Sequence, residues 1–225
     1  MPAIMSIWAI IPVKHLDEAK SSLARVLDQV TRRSLVLAML ADMLHAIGEA
    51  PSIFKTAVVS PDNEVLGFAQ ARHAEGVKDP GLDLNGAFQL AMSHAVASGA
   101  KAVLLLPGDL PLIRTVDIEN IVAMATAERD VVIAPSKANG TNALFIRPPD
   151  LMDPKFGGES FPQHLAEAVR AGIKPHIYRS TTVSFDVDEP EDLLKLKKTG
   201  TGTKTLEVLK QLLAVLDNEI DSQDK

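Results

Sequence analysis

Leu104-Leu105-Leu106-Pro107-Gly108-Asp109-Leu110-Pro111-Leu112 is an apolar run that breaks abruptly into an acid framed by turn formers. Such a run reads as a parallel strand buried on both faces. The turn after it delivers one carboxylate to the carboxyl edge of a sheet, where open α/β folds bind their ligands. A second acidic group, Asp186-Val187-Asp188-Glu189-Pro190-Glu191-Asp192, follows another strand-like run at 181–185. Two acidic strand ends so far apart in the chain point to one divalent metal.

Working outward from 104–112, strand and helix alternate at short spacing. Strands are expected at 6–13, 56–60, 73–77, 101–106, 130–134, 143–147, 175–178 and 182–185, and helices at 31–47, 63–71, 82–98, 115–127 and 161–171. Leu35, Ala38, Met39, Met43, Leu44 and Ile47 recur at helical spacing in the first helix, and Thr115 is placed to cap the fourth. Only the polar turn Lys137-Ala138-Asn139-Gly140-Thr141-Asn142 separates two of the strands, which departs from strict alternation. The fold class is therefore α/β: three layers, α/β/α, around a mostly parallel sheet with one or more antiparallel strands inserted late. Residues 1–198 are expected to form this domain, and 199–225 a linker, Thr199-Gly200-Thr201-Gly202-Thr203, and an amphipathic C-terminal helix. Its stripe of Leu206, Leu209, Leu212, Leu213 and Leu216 would dock on its own domain or on a second subunit as a homodimer.

Composition narrows the function classes. With 225 residues, 46% of them hydrophobic, the chain can bury a sizeable core, and a formal net charge of −6 argues against a nucleic-acid or anionic-membrane surface while allowing a small anionic substrate in a local basic pocket. The absence of cysteine excludes disulfides, thiolate metal sites and a cysteine nucleophile, and the six histidines show no paired ligand spacing. No basic segment precedes a sustained apolar run, and no stretch approaches the roughly 20 apolar residues of a membrane span, so a cytoplasmic protein is expected.

Asp186 and Asp188 are two apart, a spacing that projects both carboxylates to one face of an extended strand, where they repel unless a cation sits beside them. With Asp109 they make an oxygen-rich set suited to magnesium. The alternative is that Pro190-Glu191-Asp192 opens a helix and leaves Asp186 and Asp188 as turn and cap residues. A magnesium site implies a phosphorylated ligand. Lys14, Lys20 and Arg25 follow the first strand and could neutralise a triphosphate, although Asp17 and Glu18 could pair with these lysines in a solvated loop. No P-loop sequence is present. Asn139-Gly140-Thr141-Asn142 and Gly157-Gly158-Glu159-Ser160 offer hydroxyls and amides for a small phosphorylated or carboxylated substrate, or are ordinary turns. Asp83-Leu84-Asn85 either caps a helix or presents Asn85 to a nucleobase edge.

Taken in order, Ile11-Pro12-Val13-Lys14, Ala19-Lys20-Ser21-Ser22-Leu23-Ala24, Leu84-Asn85, Gly108-Asp109-Leu110-Pro111-Leu112, Gly140-Thr141-Asn142-Ala143-Leu144, Phe156-Gly157 with Ser160, and Asp186 through Asp192 resemble the CofC/FbiD guanylyltransferases over 8–196. That family resembles the wider nucleotidyltransferases of the MobA-like, GT-A type. They use a glycine-rich loop where this chain has the lysine-containing segment 11–23.

The resemblance implies transfer of GMP from GTP to a small phosphorylated three-carbon acid, with release of pyrophosphate, in biosynthesis of coenzyme F(420). The acid would be 2-phospho-L-lactate, phosphoenolpyruvate or 3-phospho-D-glycerate, and a labile product would pass to the next pathway enzyme. It further implies that Asp109, Asp186 and Asp188 hold the metal, Mg2+, and act in catalysis with Lys20. Pro12, Val13, Lys14, Lys20, Asn85, Pro107 and Gly108 would bind the nucleotide, and Thr141, Asn142, Gly157 and Ser160 the acceptor. Ser22 stands where the family often has an arginine, which favours Lys20 over Arg25 as the triphosphate contact. An ionised acceptor phosphate needs no general base, so no catalytic histidine is assigned. The competing readings are a MobA-like enzyme acting on molybdopterin or a sugar phosphate, and a nucleotide-binding regulatory domain without turnover.

Overall fold

Ile7–Pro12 has no charged side chain to turn toward water, and it forms a fully buried strand, β1, inside a seven-stranded sheet. The structure is a computed structural model describing residues 6–211. After β1 come a short 3-10 helix at Ser21–Arg25, α1 (Gln29–Gly48), β2 (Lys55–Ser60), α2 (Asn63–Gln70), β3 (Glu75–Lys78), α3 (Leu84–Ala97) and β4 (Ala102–Leu105). The second half contains α4 (Thr115–Met124), β5 (Asp130–Pro135), β6 (Thr141–Arg147), α5 (Ser160–Arg170), β7 (His176–Ile177) and α6 (Pro190–Thr199).

The strand order is β3-β2-β1-β4-β6-β5-β7. β6 runs antiparallel between β4 and β5, and every other pairing is parallel. The turn between β5 and β6 is too short for the crossover that parallel neighbours require, so the late antiparallel insertion follows from chain length alone. Alternation along β1 then divides the core. Ile7, Ala9 and Ile11 join Leu35, Met39, Leu40 and Met43 of α1 on one face, while Trp8 and Ile10 join Phe88, Ala91 and Ala95 of α3 on the other. The expected three-layer fold is the observed one.

Three local expectations change. Residues 181–184 form a turn rather than a strand. The cause is Asp117, which is 1% exposed and gathers this segment: Oδ1 accepts from Tyr178 Oη and Ser180 Oγ, each at 2.8 Å, and Oδ2 accepts from Thr182 Oγ1 at 2.7 Å. Ser180 Oγ in turn accepts from the backbone N–H of Thr182 at 3.2 Å, a local bond that keeps the segment in a turn away from a strand ladder. Thr115 is the first residue of α4, not its cap. Its hydroxyl donates to Ala46 O of α1 at 2.9 Å, and Arg114 occupies the cap position with Asp117 Oδ2 accepting from its backbone N–H.

Thirdly, the expected linker is only the turn 200–203, after which 204–211 is helical. Asp42 of α1 accepts from the backbone N–H of Lys204 at 2.7 Å and of Thr205 at 2.9 Å, and Leu206 and Leu209 are buried. The first turns of the tail therefore dock on their own domain. Leu212, Leu213 and Leu216 lie outside the described residues.

Burial opposes the charge on Asp117, but Thr182, Tyr178 and Ser180 donate to it and hold its pKa below the ordinary 3.8. Its stabilising effect is therefore complete above pH 3.8 and is lost as the pH falls through the depressed folded value. Asp117→Ala leaves three half-buried hydroxyls without this acceptor. We expect it to cost about 3 kcal/mol, or roughly 6–12 °C in Tm. Thermal melts at pH 7 check this, and an unchanged Tm would refute the role given to Asp117.

Candidate active site

β1 and β4 are neighbours, so their carboxyl ends open on the same edge of the sheet. A Cβ on Gly108 would lie 2.8 Å from Pro12 O, so glycine is what lets the Pro107-Gly108-Asp109 turn pass the end of β1. Beyond it, Asp109 O accepts the N–H of Val187 at 3.3 Å, and Ser22 Oγ donates to Asp188 O. Three segments distant in sequence meet here: the loop after β1, the turn after β4 and the acidic segment before α6.

Lys20 joins them. Its backbone is left-handed (φ 52°), a conformation costing a non-glycine residue roughly 1–2 kcal/mol, and its Nζ lies 2.6 Å from Asp109 Oδ2 and 2.9 Å from Asp188 Oδ1. Burial works against the Lys20 charge, but Asp109 and Asp188 more than reverse this and raise the pKa above the usual lysine range. Lys137, on the β5–β6 turn, forms the other half of the charge arrangement. Its Nζ donates to Asp186 O at 2.9 Å and to Asp192 Oδ1 at 2.7 Å, and lies 3.1 Å from Asp186 Oδ1. Asp192 Oδ2 in turn accepts from the N–H groups of Asp188 and Glu189, so the helix-opening role considered for this region belongs to Asp192.

The two aspartates do not share one face of a strand. Asp186 turns inward to Lys137, while the Asp188 side chain is 55% exposed and turns to Lys20. Among the described residues no three acidic or histidine side chains converge as a metal cage. Nevertheless the donor set fits a hard cation. Among the described residues Asp186 Oδ1, which is buried, makes no hydrogen bond, its contact with Lys137 being ionic only. Its pKa is raised by burial first and then by Asp109 and Asp188, with Lys137 opposing. An additional cation among these carboxylates would relieve that strain.

Pro12, Val13, Lys14, Lys20, Pro107 and Gly108 line a cleft of about 330 Å³ whose floor includes Asp109 and Asp188. A second hollow of about 300 Å³ continues past Lys14 toward Asp79 and Leu82. A larger one of about 830 Å³ lies at the opposite edge, beside Lys55 and Gly202, and contains none of these groups. The position of the acids favours the carboxyl edge as the site. Arg25 is directed away, to Glu189 Oε2 at 2.9 Å, and Asp17 pairs with Arg33 rather than with a lysine.

Asn85 does not stand free to read a base. Its Nδ2 donates to Phe156 O at 2.9 Å and its Oδ1 accepts from Phe156 N at 2.8 Å, clamping the segment that carries Gly157 and Ser160. The helix-cap alternative belongs to Asp83, whose Oδ1 accepts from Gly86 N. Thr141 and Asn142 are adjacent in β6 and so point to opposite faces. Thr141 Oγ1 meets His164 Nδ1 at 2.8 Å on the α5 side, whereas Asn142 Nδ2 donates to Val183 O and holds the 181–184 turn. Ser160 Oγ, 1% exposed, has no partner among the described residues. Sequence reading does not single out Lys137 or His164, because neither carries a local signal: one is a polar residue in a turn, the other a histidine on a helix.

A mostly parallel sheet with acids at the carboxyl edge and a cationic loop beside them suits a nucleotidyltransferase, the class to which the chain's family belongs. Solved structures agree on the fold. A candidate nucleotide-diphospho-sugar transferase from Desulfovibrio desulfuricans G20 superposes with a TM-score of 0.77 at 19% identity, covering 95% of this chain and 98% of that one. A nucleotidyl transferase from Methanothermobacter gives 0.64 at 16% identity, covering 86% and 97%. Residues 7–224 match the family model "Guanylyl transferase CofC like", and the chain belongs to that family. A phosphoenolpyruvate guanylyltransferase from Rubrobacter xylanophilus is 41% identical over 87% of this chain and 96% of its own. A 2-phospho-L-lactate guanylyltransferase from Methanocaldococcus vulcanius is 37% identical over 90% of each.

Proposed function

We propose that this protein transfers GMP from GTP to a small phosphorylated three-carbon acid with release of pyrophosphate, in the cytoplasmic biosynthesis of coenzyme F(420). Membership of the guanylyl transferase family carries this reading. A phosphate oxygen of the acid attacks the α-phosphorus of GTP, and the bond from that phosphorus to the bridging oxygen of the departing pyrophosphate breaks. Each pair of unit charges at about 4 Å repels by roughly 4 kcal/mol at an effective dielectric near 20, worth about three powers of ten in rate. Charge compensation is therefore the main task, and an ionised phosphate needs no base. Lys20 and Lys14, which line the cleft, would meet the triphosphate. Asp109, Asp186 and Asp188 would hold Mg2+, which when bound neutralises charge on the phosphates. Thr141, Gly157 and Ser160 would receive the acid, with Asn85 and Asn142 shaping the pocket through the backbone segments they hold.

Residues 1–198 are assigned as the catalytic unit. The buried Leu206 and Leu209 support the tail as a brace on that unit, and a homodimer would use the remainder of the leucine stripe. The product, a mixed phosphoanhydride, would pass directly to the enzyme that consumes it.

The three candidate acids differ by a methyl, a double bond or a hydroxyl, differences of about 1–3 kcal/mol in a pocket. Magnesium-dependent pyrophosphate release from GTP, measured with each acid separately and coupled to the next enzyme, tests the proposal. Release with one acid is expected and names the acceptor. Silence with all three, in folded protein that binds GTP, would overturn it in favour of a molybdopterin or sugar-phosphate acceptor, or of a regulatory domain.

A further inference from the structure

His164 is wholly buried on α5, and both of its ring nitrogens are engaged. Lys155 N lies 2.8 Å from Nε2 and Thr141 Oγ1 lies 2.8 Å from Nδ1. A backbone N–H can only donate, so Nε2 must accept, and the single proton of a neutral imidazole is left on Nδ1. That proton is given to Thr141 Oγ1. The Thr141 hydroxyl hydrogen therefore cannot point at the ring, and among the described residues it finds no other acceptor. Ser160 Oγ, at the start of α5, is also buried and unpartnered among the described residues, and lies 3.7 Å from where a side chain on Gly140, the residue before Thr141, would begin.

We infer that His164 is a positioning residue for the acceptor. Through its fixed tautomer it makes the Thr141 hydroxyl an obligate donor, which with the Ser160 hydroxyl prepares the pocket for the carboxylate oxygens of the phosphorylated acid. The inference rests on the guanylyl-transfer reading given above. The ring itself is held: Phe156 packs against it at 69° with centroids 4.9 Å apart, stacks on Phe88 at 4.4 Å, and is clamped by Asn85. Burial keeps the imidazole neutral, with its pKa lowered to about 4, so the arrangement persists at neutral pH. Two neutral hydroxyl donors suit a carboxylate, which offers acceptors only, and a donor left unpaired in a dry pocket carries its full desolvation penalty.

Two variants divide the roles of the ring. In His164→Asn the side-chain NH2 sits near the Nδ1 position and retains donation to Thr141, whereas in His164→Gln the amide oxygen reaches the Nε2 position and retains only the bond from Lys155. Steady-state kinetics should show His164→Gln raising the KM for the acid about tenfold or more with the KM for GTP unchanged, and His164→Asn restoring most of that loss. Adding His164→Gln to Thr141→Val should cost nothing beyond Thr141→Val alone, since the ring acts on the acid only through the Thr141 hydroxyl that the valine lacks. Additive losses, or equal rises in both KM values, would overturn the inference. Ring-nitrogen NMR of the protein without substrates supplies an independent readout: the Nδ1–H tautomer at the resonance lost in His164→Gln is expected, and the Nε2–H tautomer would overturn it. Wild-type protein silent with every acid would instead remove the guanylyl-transfer reading, while the NMR spectrum still decides the hydrogen-bond polarity on its own.

Discussion

Asp186→Asn should reduce magnesium-dependent turnover by roughly 10³-fold or more, the equivalent of about 4 kcal/mol of lost charge stabilisation, while leaving the fold intact. The structure gives the reason these two outcomes separate. Asp186 is held above its ordinary pKa of 3.8 by burial and by Asp109 and Asp188, so the folded protein binds the carboxyl proton more tightly than the unfolded chain does. For a raised acid the linkage runs toward greater stability as the pH falls through the folded pKa, and at neutral pH the ionised group is a liability. Asparagine removes that liability, and the backbone carbonyl of residue 186 still accepts from Lys137, so Tm should hold or rise as activity disappears. Millimolar Mg2+ should raise the Tm of the wild type and not of the variant. An equal magnesium shift in both proteins, or normal turnover in the variant, would remove Asp186 from the metal assignment.

Lys20→Met carries the second large effect, a fall in kcat/KM of about 10² to 10³. A methionine keeps the length of the stem and loses the ammonium that lies 2.6 Å from Asp109 and 2.9 Å from Asp188. Two carboxylates that share one lysine then face each other without it, so this variant, unlike Asp186→Asn, should also melt at a lower temperature. Since Asp109 and Asp188 raise the Lys20 pKa, the stability from this pair is complete below the ordinary 10.5 and is lost as the pH rises through the folded value. The Tm difference between wild type and Lys20→Met should therefore be constant near neutrality and close only in strong alkali. Lys20→Arg should rescue the melting temperature better than the turnover, because a planar guanidinium cannot occupy the same point between two acids and a triphosphate. Turnover of Lys20→Met within threefold of the wild type would show that Lys20 is only a structural tie.

What could be read from the sequence was whatever repeats or breaks locally. The run Leu104-Leu105-Leu106 marked a buried strand, Pro107-Gly108 its abrupt end, and the short polar turn before Thr141 the antiparallel insertion. The three acids at the edge and the lysines after β1 were legible for the same reason, since turn formers and charge stand out against an apolar background. Residues 181–185 misread as a strand because β-branched residues alone suggest one, and nothing near them in sequence announces the carboxylate of Asp117 waiting on α4.

By itself, then, the sequence determined the element order, the alternation that buries both faces of the sheet, and the supply of acids and cations at one edge, because strand and helix periods and turn chemistry act over a few residues. Only the tertiary structure decided which groups meet. Lys20 reaches Asp188 across 168 residues, Lys137 reaches Asp186 across 49, and Asn85 clamps Phe156 across 71. Those meetings depend on strand order, register and the packing of helices on each face. A hydrogen bond or ion pair forms only where that packing brings donor and acceptor within about 3 Å, a condition no local pattern encodes.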